Sequence, residues 1–213
     1  MTPMLVLYGA KGSGSAAVEA ALEIAGLEYR IVNAASWEPD SDLEALRRVN
    51  PLLQVPTLQL DDGSVLTESA AILIHLGLSA PQSGLLSTDT ATRAQQIRGL
   101  VFIAANCYVG VGISDYPERW TTSKSESAIE HVRAGARARL HRYWEMFDDQ
   151  FRGRPFLSGD APGALDLLAS VVSKWSGTRA HLRANRPEFL ATLERIEAVP
   201  PIAAVYGRHW PAP

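Results

Sequence analysis

The sequence predicts an α+β N-terminal segment of order βαβ–α–ββα, followed by an all-helical region. Three observations carry that prediction. Over residues 1–80, short apolar runs alternate with stretches of helical periodicity. Residues 81–90 are rich in Pro, Ser, Gly and Thr and lack apolar periodicity, which reads as a linker. Beyond it, over residues 91–213, the candidate elements carry the 3.6-residue pattern of helices.

The elements follow in order. Met4-Leu-Val-Leu-Tyr8 is a continuous apolar run, expected as a buried strand. Gly9 to Gly14 is a loop by composition, and Ser15 opens a helix with Ser15 as its expected N-cap. Val18, Ala21, Leu22 and Ala25 lie on one face of that helix, and Gly26 stops it. Leu27 to Ala34 reads as a second strand and Asp42 to Val49 as a short helix or turn closed by Asn50-Pro51. Pro56 to Leu60 and Ser64 to Leu66 form a hairpin about Asp61-Asp-Gly-Ser64. Ser69 to Leu78 is apolar on most sides and is expected to be buried. Further helices are expected over Thr92–Gly112, Glu126–Phe151, Ala164–Arg183 and Pro187–Ala198.

Composition narrows the function. The 213 residues are 46% hydrophobic and 20% charged, which excludes disorder. Lys and Arg number 20 against 23 Asp and Glu, a net charge of −3, so neither nucleic acid nor an anionic membrane is the expected partner. Cys107 is the single cysteine, which excludes an internal disulfide and multi-cysteine metal sites. No spacing of His and carboxylates points to a metal. No continuous apolar run reaches the ~18 residues of a membrane span. Met1 to Tyr8 lacks the basic start of a signal peptide, so a cytoplasmic protein is expected. The basic stretch His131 to Arg142 reads as a solvated or dimer-lining helix face.

One constellation carries chemistry. It is Asn50-Pro-Leu-Leu-Gln-Val-Pro-Thr-Leu58 followed by Thr67-Glu-Ser-Ala-Ala-Ile-Leu73. A Pro opening a strand after Val can hold a cis peptide, freeing the backbone N–H and C=O of Val55 for an extended peptide ligand. Glu68-Ser69 lies where a strand meets a helix. The helix N-terminus and Ser69 hydroxyl suit a carboxylate, and the Glu68 carboxylate suits an ammonium. Together they fit one end of an amino acid. The competing reading is a turn proline and an ordinary helix cap by Thr67 or Ser69.

These residues, with Leu7-Tyr8 and the Ala20-Ala-Leu-Glu-Ile-Ala-Gly26 helix end, resemble the cytosolic glutathione S-transferases of bacterial type, over essentially the whole chain. The resemblance implies a thioredoxin-like N-terminal domain over 1–80 and an all-helical bundle over 91–213. It implies glutathione as co-substrate, no metal, a homodimer, and transfer of the glutathione thiol to a hydrophobic electrophile, or reduction of a peroxide. Gln54, Val55, cis-Pro56, Glu68 and Ser69 would hold glutathione, with Trp37 and Arg48 as candidates at its glycyl end. Asn106, Tyr108 and Tyr116 would line the electrophile pocket. Leu157 to Asp166 resembles a helix-capping motif of the family, with Gly163 in place of the usual hydroxyl and Asp166 serving the buried helix start.

A thiol of pKa about 8.5 must be lowered to act near neutral pH, and a hydroxyl donor or helix N-terminus achieves this. Family members place Tyr, Ser or Cys between the first strand and first helix. Ser13 is the first candidate here and Tyr8 the second. Gly14 meets the cysteine position, which argues against cysteine chemistry. The competing readings are a solvated loop residue for Ser13 and a core-covering aromatic for Tyr8. Cys107 reads as a buried small hydrophobe. Two other functions stay open: a glutathione-dependent isomerase, which Gly12-Ser-Gly-Ser15 matches poorly, and a non-catalytic binding or regulatory protein of the same fold.

Overall fold

The computed structural model describes residues 4–211. The start of the segment read for a leader, and the last two residues, lie outside them. A four-stranded sheet has the order β2–β1–β3–β4. It is built from β1 (Leu5–Gly9), β2 (Tyr29–Asn33), β3 (Thr57–Gln59) and β4 (Val65–Leu66). The connecting helices are α1 (Ser15–Ala25), α2 (Leu43–Val49) and α3 (Ser69–Ser79). β1 runs parallel to β2 and antiparallel to β3, with Tyr8 opposite both Val32 and Thr57. This is the expected βαβ–α–ββα order in a thioredoxin-like arrangement.

Alternation along β1 divides the packing. Leu7 faces α1 and α3 with Leu22, Leu58 and Leu73, and Val6 and Tyr8 face α2 with Leu46. Gly26 ends α1 with φ 64°, its N–H bonded to the Glu23 and Leu22 carbonyls. Asp42 caps α2, its carboxylate accepting the Ala45 N–H at 2.9 Å.

The helical region comprises α4 (Thr90–Phe102), α5 (Val109–Asp115), α6 (Glu126–Gln150), α7 (Ala164–Val172), α8 (Thr178–Asn185), α9 (Pro187–Glu197) and α10 (Pro200–His209). α4 and α5 are joined by a π-helical segment, Ile103–Tyr108, so the expected helix over 92–112 runs without a break. By length and mean hydropathy (1.5), Thr90–Asp115 could cross a bilayer, which the apolar-run reading did not anticipate. Its Leu100, Ile103, Cys107 and Val111 are instead buried against Leu140, Trp144 and Phe147 of α6 and Leu167 and Leu168 of α7. It is a core helix.

Two expectations are corrected. The helix expected over Ala164–Arg183 is two helices, because Ser176 and Gly177 take positive φ of 54° and 76° between them. A further helix, α10, follows the expected ones, and its two prolines, Pro200 and Pro201, sit in the first turn, where no N–H is needed. The 81–90 segment also does more than connect. Leu85 and Leu86 are buried in the core, and the Leu85 carbonyl accepts the Ala164 N–H at 2.8 Å.

Asp166 organises the start of α7 from three residues into it. Its carboxylate accepts the N–H groups of Leu157 (2.7 Å), Ser158 (2.9 Å) and Gly163 (3.0 Å). Glycine is a tolerable N-cap, and Asp166 fixes the turn entering α7 through these three N–H groups, that of the Gly163 cap included. A single apolar cluster runs from the sheet through α1 into α7, α9 and α10, so the loop after β1 is braced from both regions.

Candidate active site

The site is assembled from the loop before β3, the N-terminus of α3 and the loop before α1. Asn50 builds the first. Its side chain, 2% exposed, donates to the Gln54 carbonyl (3.1 Å) and to Thr57 Oγ1 (2.9 Å), and its Oδ1 accepts the Leu52 N–H (3.0 Å). Thr57 Oγ1 also donates to the Gln54 carbonyl at 2.9 Å. The Gln54 carbonyl is thus tied inward while its side chain is exposed. The Val55–Pro56 peptide is cis. Among the described residues, the N–H and C=O of Val55 make no hydrogen bond.

At α3 the N-cap is Glu68, not Thr67 or Ser69, and no side chain caps the helix. Its first-turn N–H groups are therefore free of side-chain acceptors. Glu68 is exposed and holds φ 64°, a conformation that costs a non-glycine residue of order 1–3 kcal/mol. Ser69 is buried beside it.

The loop before α1 differs from expectation. Ser13 is buried, not solvated. Its hydroxyl lies 2.8 Å from both the Ala10 carbonyl and Ser15 Oγ, and accepts the Ser15 N–H at 3.2 Å. Ser15 is not the N-cap. That position is Gly14, while Ser15 Oγ accepts the Ala10 N–H (3.2 Å) and lies 3.1 Å from the Ala10 carbonyl. The two serines are committed to folding the loop on itself. Tyr8 packs with Val6, Ala34 and Leu46, the core-covering role, and its hydroxyl makes no hydrogen bond among the described residues. Lys11 is exposed.

The same loop is tied to the end of the chain. The Gly12 N–H donates to His209 Nδ1 at 3.2 Å, and His209 Nε2 meets Glu19 Oε2 at 2.6 Å. Arg208 reaches Glu19 Oε1 at 2.6 Å. Burial alone would raise the Glu19 carboxyl, but hydrogen bonds from His209 and Arg208 hold it below its usual range. Sequence reading missed this brace, because Glu19 lies off the Val18–Ala21–Leu22–Ala25 face and its burial becomes visible only in the fold.

Tyr108, at the end of the π-helical segment, closes the site from the helical region. A Cβ on Gly14 would collide with Tyr108 Oη, and that same position lies 3.5 Å from Pro56 Cδ. Tyr108 also stacks on Trp175, with ring centroids 5.7 Å apart. Burial and nearby Glu68 push its phenol up to about 12. Gly14, Pro56 and Tyr108 therefore meet, with Glu68 close enough to act electrostatically. The Asn106 amide donates to the Phe102 carbonyl at 3.0 Å, within its own helix. Tyr116 is exposed under Arg119, whose guanidinium carbon lies 4.1 Å from the ring centroid. Cys107 is fully buried, and burial raises its thiol well above the ordinary range. A recess of about 840 Å³ between the end of α6 and α9 shares no lining residue with this site. No cluster of metal-ligating side chains occurs among the described residues.

Residues 15–77 match the family model for the glutathione S-transferase N-terminal domain. A probable glutathione S-transferase of Zea mays is 31% identical over 175 residues, 77% of this chain and 70% of that protein. The chain belongs to the glutathione S-transferase family. An uncharacterised glutathione-transferase-like protein of Escherichia coli K12, YncG, is 27% identical over 97% of this chain and 98% of its own length. Among solved structures, a glutathione transferase homologue from Sulfitobacter, crystallised with glutathione, superposes with a TM-score of 0.82 at 26% identity. That match covers 96% of this chain and 97% of the other. The transferase family model begins at Ser15, so the loop bearing Ser13 and Gly14 lies outside the matched residues.

Proposed function

We propose that the chain is a glutathione transferase that binds glutathione along Val55, Glu68 and Ser69 and transfers its thiol to a hydrophobic electrophile. The observation that carries this reading is the Val55 backbone, without a hydrogen bond among the described residues, together with a helix that lacks a side-chain cap and begins at strained, exposed Glu68. The Val55 N–H and C=O would ladder with the cysteinyl residue. The Glu68 carboxylate would take the γ-glutamyl ammonium, and the first turn of α3 with Ser69 its carboxylate. Gln54 would contact the same end. Once ionised, the sulfur attacks an electrophilic carbon, a C–S bond forms, and the leaving group departs with its electron pair. Holding both reactants together supplies much of the rate.

Family membership, the glutathione-bound relative and the shape of this edge support the reading. A homodimer belongs to it, supported by large apolar side chains left exposed on adjacent helices, Leu78 on α3 and Val101 on α4. Cytoplasmic placement belongs to it too, supported by the single buried cysteine. The test is conjugation of glutathione to activated aryl halides and enones by the pure protein. Turnover above the uncatalysed rate is expected, and its absence from every electrophile in the presence of bound glutathione would leave a binding protein.

A further inference from the structure

We propose that Tyr108, delivered across the cleft from the helical region, is the catalytic residue that donates a hydrogen bond to the glutathione sulfur, in place of a residue from the loop before α1. The inference rests on the glutathione-binding reading above and names the donor within that site.

Four observations converge. The loop that supplies the thiol-activating side chain elsewhere in the family offers none here. Ser13 and Ser15 bond to each other and to Ala10, and residue 14 has no side chain. Tyr108 Oη fills the very space that a side chain at position 14 would take, beside Pro56. That space adjoins the Val55 backbone, where a cysteinyl residue would ladder. The Tyr108 hydroxyl makes no hydrogen bond among the described residues, so its proton is free to be donated. The Gly14 N–H, at the N-terminus of α1, is likewise unpaired among them and adds a second donor.

The proton balance is simple. On binding, the thiol gives its proton to solvent, and the phenol keeps its own while donating to the thiolate. The upward shift of the phenol suits that role, because it stays protonated across the working range. Stacking on Trp175 fixes the ring so that the hydroxyl cannot swing away.

The test is ultraviolet titration of glutathione bound to the full chain, comparing wild type with Tyr108→Phe, which keeps the ring and its stacking. Binding is measured in parallel by calorimetry and folding by thermal melting. The expected result is a bound thiol titrating well below 8.5 in wild type and about one to two units higher in Tyr108→Phe, with Kd weakened about three- to tenfold at neutral pH by linkage and changed less than about threefold near pH 5, where both proteins bind the thiol form. A proton-release stoichiometry near one at neutral pH should fall in the variant. Equal thiol titration in the two proteins would overturn the assignment, as would glutathione that binds wild type with an unperturbed thiol. Failure of wild type to bind glutathione at all would overturn the binding reading itself, a distinct outcome.

Discussion

His209, on the last helix, accepts the backbone N–H of Gly12 through Nδ1 at 3.2 Å, across 197 residues of sequence. Because Nδ1 accepts there, Nε2 carries the proton and donates to Glu19 Oε2. The loop between the first strand and first helix is therefore positioned by the chain's far end. His209→Ala removes the acceptor for Gly12 and a partner of Glu19. The expected loss is about 1–3 kcal/mol in urea unfolding, with glutathione affinity weakened several-fold because the loop is less well fixed. An unchanged urea midpoint would contradict this placement.

Glu19 makes the brace sensitive to acid. Its carboxyl is held below the ordinary value near 4.3, so its stabilisation is fully present above that value and is lost as pH falls through the lowered one. Glu19→Gln should cost about 1–3 kcal/mol at pH 7. That cost should shrink steadily as pH falls through the lowered value of the wild-type carboxyl. Thermal melts of both proteins from pH 7 to pH 3 measure the difference directly.

Gly14 is small because Tyr108 Oη occupies its side-chain space. Gly14→Ala should destabilise by about 1–3 kcal/mol through overpacking. Adding Tyr108→Phe removes the colliding oxygen and should recover part of that loss, giving a favourable coupling energy of about 0.5–2 kcal/mol. Strict additivity of the two substitutions would mean they do not touch.

Asp166 accepts backbone N–H groups from Leu157, Ser158 and Gly163. Asn at this position offers one acceptor oxygen and turns an N–H₂ toward donors. Asp166→Asn should lose about 3–5 kcal/mol, with the effect seen in equilibrium unfolding and not in the Kd for glutathione of the folded fraction.

Much of the fold was legible because its signals are local. Gly26 stops α1 with the left-handed backbone that glycine allows, and Asn50 closes α2 before Pro51. The Val55-Pro56 and Glu68-Ser69 pairs stood out because few structural roles need both at that spacing. What sequence hid was long-range. The Ser13 hydroxyl looked available until Ala10 and Ser15 were found to claim it. Glu19 and His209, 190 residues apart, have no local pattern that joins them. Tyr108 was legible as a pocket aromatic, but its meeting with Gly14 depends on how α4, α5 and the π-helical turn carry it across the cleft.

The central claim is that Val55, Glu68 and Ser69 form a γ-glutamyl peptide site. Its most direct measurement is calorimetric titration of the full chain with glutathione and with cysteinylglycine, which lacks the γ-glutamyl end, repeated on Glu68→Gln. Wild type should bind glutathione at least about tenfold more tightly than the truncated peptide, since a charge-assisted hydrogen bond is worth about 1.5–3 kcal/mol. Glu68→Gln should erase most of that preference. Equal affinity for the two peptides, or an undiminished preference in Glu68→Gln, would contradict the account.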